Sequence, residues 1–102
     1  MNLYINGSLL AGFYDDEESR DHLITMGFSL ESIEAAFDAE KWKHIRVQRD
    51  KYMSETDWTQ FSDSPLTPEK KAEFIEYRNE LRNIPQNYGK PDEVIWPEKP
   101  TV

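Results

Sequence analysis

Two histidines, His22 and His44, are the first residues to test for metal or acid–base chemistry. They lie far apart in the chain, and no His-x-x-x-His or Glu-x-x-His spacing sets two ligands on one helix face. Surface or half-buried histidines are expected, and no metal site. The acid run Asp15-Asp16-Glu17-Glu18 lacks the Asp-x-Asp-x-Asp-Gly order that wraps calcium. Ser8, Ser29 and Ser54 stand in no glycine elbow, and no glycine-rich phosphate loop is present. Cysteine is absent, which removes thiolate chemistry and disulfides and suits a reducing compartment. The expectation is a protein without catalytic residues or cofactors, not an enzyme.

Asp57 and Trp58 are more informative. A turn Asp that becomes buried needs an arginine, and Arg46, Arg49, Arg78 and Arg82 are available, with Arg78 and Arg82 on one helix face at i, i+4. One reading is a structural latch of Asp57, Arg78, Arg82 and Trp96, with arginine stacked on Trp58 or Trp96. The other makes Trp58 and its arginine neighbours an anchor for a partner, since Trp, Tyr and Arg dominate interface hot spots. Tyr14, Phe28 and Trp42 join Trp58 as candidate protein-binding aromatics.

The elements that would position these residues read as mainly α with one small hairpin. Asn6-Gly7 between Leu3-Tyr4-Ile5 and Ser8-Leu9-Leu10 signals a two-residue turn that pairs Ile5 with Ser8, Tyr4 with Leu9 and Leu3 with Leu10. The acids at 15–18 suit the start of a short helix with Leu23 and Met26 on its apolar side and Gly27 as its C-cap. Ser29 reads as the next N-cap, with Phe28 and Ile33 as a hydrophobic staple. Leu30, Ile33 and Phe37 begin a face that shifts after Ala39 to Trp42, Ile45, Arg49, Tyr52 and Met53. One long helix over about 30–55 is favoured over a break near Glu40, because no Gly or Pro interrupts it. Residues 56–67 read as a loop. Thr67-Pro68-Glu69 opens a second helix, packed antiparallel on the first, whose face is Phe74, Tyr77, Leu81 and Ile84. It should end before Pro85, leaving an extended Pro-rich tail anchored by Val94-Ile95-Trp96.

Length bounds the chain to one small domain over 1–102, with a hairpin at 1–14, an acidic helical region at 15–40 and a helical hairpin with tail at 41–100. The 37% hydrophobic share predicts a thin core, which would need a partner or a second copy to cover its apolar face, whereas 13% aromatic residues argue against disorder. Charge is one-sided. Residues 1–40 hold nine carboxylates against Arg20 alone, a net of −8, while residues 41–102 hold eleven acids and eleven bases. That argues against nucleic-acid binding and for either a solubilising face or a surface for a basic partner. The N-terminus does not read as a signal peptide, and no segment is apolar enough for a membrane span. A soluble, intracellular protein is expected.

Arg46, Arg49-Asp50, Thr56-Asp57-Trp58-Thr59-Gln60, Asp63, Pro65-Leu66-Thr67-Pro68-Glu69, Tyr77-Arg78, Leu81-Arg82, Ile84-Pro85 and Val94-x-Trp96-Pro97 together resemble the phage tail assembly chaperone family over about residues 45–100. Phe74 departs from the family's usual Trp, Asn79 from Gln, and Asn83 from Asp, a loss that removes one arginine partner. The resemblance implies a non-enzymatic protein of the host cytoplasm that binds a phage tail protein, fibre or tape measure, during assembly. Retention in the virion tail as a small connector, or acidic inhibition of a host enzyme, are the alternatives. A second, shorter stretch, Leu23-Ile24-Thr25-Met26-Gly27-Phe28-Ser29 with Ile33, Ala36 and Phe37, resembles the first loop and second helix of a ubiquitin-associated domain. A helix–Gly-cap–helix turn with Phe28 as its staple accounts for the same residues.

Overall fold

The computed structural model describes residues Met1–Val102. The elements are β1 (Leu3–Ile5), β2 (Ser8–Leu10), α1 (Glu17–Thr25), α2 (Leu30–Glu55), a 3-10 turn (Asp57–Gln60), α3 (Pro68–Arg82), α4 (Ile84–Asn87) and a second 3-10 turn (Pro91–Glu93). The contacts divide the chain into two compact units, Met1–His44 and Ile45–Val102. Helix α2 runs through both.

In the first unit, β1 and β2 pair in the expected antiparallel register, Leu3 with Leu10, Tyr4 with Leu9 and Ile5 with Ser8. Asn6 and Gly7 take φ of 51° and 83°, the left-handed pair that a two-residue hairpin turn requires. The pleat sends Leu3 and Ile5 into a core with Leu23, Ile33, Ala36 and Phe37, while Leu10, Phe13 and Phe28 pack against it. Asp16 caps α1 by accepting from the Ser19 amide. The helix then stops in a Schellman turn: Phe28 N–H donates to Leu23 O and Gly27 N–H to Ile24 O, with Gly27 at φ 102°. Ser29 caps α2, its Oγ accepting from the Ser32 amide. Two expectations need correction. Met26 and Leu30 are exposed, and the inward face of α2 is Ile33, Ala36 and Phe37. Beyond the glycine turn it is Phe28, not Met26, that packs against this core.

The stripe Trp42, Ile45, Arg49, Tyr52 and Met53 is half-buried throughout, and α2 passes Glu40 without a break. In the second unit Thr67 caps α3 by accepting from the Lys70 amide, with Pro68 in its first turn. Phe74, Tyr77, Leu81 and Ile84 are all buried. Phe74 meets Trp58, and Arg78 four residues on meets Thr56 and Met53, so α3 runs back along the chain that precedes it. The expected loop at 56–67 begins as a 3-10 turn with two buried threonines: Thr59 Oγ1 donates to Thr56 O at 2.6 Å. The tail also departs from a purely extended path. Pro85 opens α4 instead of only ending α3, because a proline lacks the N–H that a first helical turn does not need. Pro91 does the same for the second 3-10 turn.

Candidate protein-binding site

Arg78 is the centre of the second unit. Helix α2 has no basic residue in its last turn, so its terminal carbonyls have no local cation. Arg78 supplies one from α3, donating through Nη1 to Met53 O at 2.8 Å and Thr56 Oγ1 at 2.9 Å, with Nη2 3.0 Å from Asp57 Oδ1. The Asp57 carboxylate is 58% exposed, which makes the backbone contacts the stronger part of this junction. Arg82 faces elsewhere and donates to Asn79 Oδ1. Trp96 meets Tyr52 edge-on at 5.2 Å and stacks on no arginine. The cation–π contact instead joins Arg20 and Phe37 in the first unit. Burial pushes the Tyr77 hydroxyl pKa up, helped by Tyr52 and Glu55.

Trp58 is held by Phe74 at 6.1 Å and remains 38% exposed, with exposed Phe61 at the end of the same turn. Further along, Ile84, Asn87, Tyr88, Trp96 and Pro97 line a shallow groove of about 340 Å³, and Tyr88 donates to Ile95 O. Motif residues that are scattered in sequence thus converge, the buried Thr56 and Thr59 among them, and Phe61 adds to them. Thr56 and Thr59 are hard to find by hydrophobic period because their partners are local carbonyls.

In the first unit Tyr14 is 71% exposed beside a groove lined by Phe13, Ser19 and His22. Phe28 and Trp42 are half-buried, Phe28 against the core. Tyr4 and Leu9, opposed on the outer face of the hairpin, are both exposed. Strand alternation carries the signal for that pair, once the register is fixed.

Arg20 organises the charges here. It pairs with Glu34 through Nε, reaches Asp15 Oδ1 at 2.6 Å, and lies 4.6 Å over the Phe37 ring. Lys41 takes the other Asp15 oxygen. Hydrogen bonds from Lys41 and then Arg20 hold the Asp15 carboxyl below its usual range, and the bond from Arg20 does the same for Glu34. A lowered folded pKa gives stability that is present above the unfolded value and lost as pH falls through the folded one. The urea midpoint is therefore expected to fall below about pH 4, and Glu34→Gln to blunt that fall. A midpoint that holds or rises on acidification would contradict the network. His22 lies against Phe13, and His44 is 3.4 Å from Glu40. No three His, Cys, Asp or Glu side chains converge in a way that could hold a metal, and no helix is long and apolar enough to cross a membrane.

Residues 42–101, more than half of the chain, match the family described as phage tail assembly chaperone protein. The chain belongs to that family. The matched span holds Trp42 and everything described above for the second unit, from the Arg78 junction to the Trp96 groove. A role in phage tail assembly follows from membership. No curated protein and no solved structure shows a match to the chain.

Proposed function

We propose that this tail assembly chaperone is a non-enzymatic adaptor that binds a tail component, fibre or tape measure, and shields its apolar surface until the final neighbours arrive. Trp58 supports this reading: the 3-10 turn and Phe74 hold its ring in place, yet much of it faces solvent within the family-matched span. Partly formed assemblies expose strand edges and apolar tips that aggregate unless covered. Exposed aromatics such as Trp58 and Tyr14 offer cover, and the hairpin offers a strand edge. The acids of residues 15–40 keep the complex soluble. The chain acts as one domain, its two compact units both built on α2.

Co-expression with each tail protein tests this. Tyr14→Ala and Trp58→Ala are expected to lower the soluble yield of the client several-fold, as loss of interface anchors should, while circular dichroism stays that of the parent. An unchanged yield from correctly folded variants would remove the shielding role.

A further inference from the structure

The groove beyond α3 contains an unpaired carboxylate. Glu80 lines it together with Ile84, Asn87, Tyr88, Trp96 and Pro97. Glu80 has no intramolecular hydrogen bond or ion pair: on the same helix Lys70 takes Glu73, Arg78 takes Asp57, and Arg82 turns to Asn79. Tyr88 gives its one hydroxyl proton to Ile95 O at 3.2 Å, so its oxygen can only accept from a visitor. An ionised carboxylate likewise only accepts. Two acceptors thus stand beside two aromatic rings in a cleft of about 340 Å³. That is the small end of the range for ligand clefts, roughly 300–1,000 Å³, and suits one side chain better than a large ligand.

We propose that this groove receives an arginine side chain of the tail component. The proposal rests on the reading of the chain as a partner-binding chaperone and names one contact of the segment it binds. A guanidinium brings five donors in a planar fork, which suits the Glu80 carboxylate and the Tyr88 oxygen, and its flat face stacks on indole and phenol rings. Its methylene stem matches Ile84 and Pro97. An apolar side chain would cover Glu80 without pairing it, which is costly for a charge. An anion is repelled by the same carboxylate. A lysine ammonium offers three donors and no planar face. A second copy of this chain is a poor source, because four of its five arginines, Arg20, Arg49, Arg78 and Arg82, are engaged within the chain.

N-acetyl-argininamide is the first probe, titrated into the isotope-labelled full-length chain and followed by amide and indole NMR shifts. Saturable shifts are expected at the Trp96 indole and at Ile84, Asn87 and Tyr88, with Kd in the millimolar range of a single side chain. N-acetyl-citrullinamide, close in shape but uncharged, is expected to bind at least about fivefold more weakly. Glu80→Gln changes one exposed side chain and should weaken argininamide binding about fivefold or more. Glu69→Gln removes the same charge from the far end of α3 and should change it less than about twofold. In phage-producing cells, Glu80→Gln is expected to lower the tail component recovered with the tagged chain at least about threefold. Citrullinamide that binds as well as argininamide, shifts clustered elsewhere, or a Glu80→Gln chain that binds argininamide like the parent overturns the proposal. Unchanged recovery of the tail component with Glu80→Gln overturns it too. In each of these cases a tail component that accompanies the parent chain leaves partner binding standing. If none accompanies the parent chain, partner binding falls, and this contact with it.

Discussion

Arg78→Ala is expected to cost about 2–3 kcal/mol of unfolding free energy and to lower Tm by on the order of 10 °C. The guanidinium is 12% exposed and holds three groups: Met53 O, Thr56 Oγ1 and Asp57 Oδ1. Its removal leaves the end of α2 without the positive charge that its dipole favours, and a buried threonine with one partner fewer. Arg78→Lys should recover less than half of the loss, since one ammonium cannot span the three acceptors. Asp57→Ala should cost under about 1 kcal/mol, because an exposed carboxylate is well solvated once released. Urea unfolding of the three variants separates the contributions. Equal losses from Arg78→Ala and Asp57→Ala would mean that the ion pair, rather than the backbone cap, holds this junction.

Phe37→Ala is expected to be the more damaging, at about 4 kcal/mol. The ring is fully buried among Leu3, Ile5, Leu23 and Ile33, and its face supports Arg20. Truncation leaves a cavity and also removes the cation–π contact, so the charge network loses the surface it rests on. Small domains have about 5–15 kcal/mol to lose, which makes this change close to unfolding the first unit. Phe37→Leu fills most of the volume and should cost about 1–1.5 kcal/mol. Urea unfolding, with amide exchange of the hairpin and α1, reads the effect. A loss under about 1 kcal/mol from Phe37→Ala would show that this core is not what orders the first unit.

Where backbone chemistry is local, the sequence is a good guide. Asn6-Gly7 sets both the turn and the register, Gly27 the end of α1, and Thr67-Pro68 the start of α3. The period through Phe74, Tyr77, Leu81 and Ile84 finds a buried face because each step is a helical one. Three features were less legible, each for a physical reason. Leu30 shares the period of Ile33 and Phe37 but begins its helix, where no preceding turn covers it. Thr56 and Thr59 are buried because their hydroxyls serve nearby carbonyls and Arg78, and their composition reads as loop. Arg20 looks like a lone base in an acidic run, and only the fold brings Glu34, Lys41 and Phe37 around it and its partner Asp15. Among the site residues, Asp57 and Arg78 lie 3.0 Å apart, while Arg82 donates to Asn79 and Trp96 meets Tyr52.

The claim that this family member acts during assembly and then leaves is tested most directly by quantitative mass spectrometry. Purified particles are compared with material pulled down through the tagged chain from phage-producing cells. The account predicts a tail fibre or tape-measure protein in the pull-down, and the chain absent from the particle or far below one copy per tail. The chain in the particle at a fixed copy number would contradict it and make the protein a permanent tail connector.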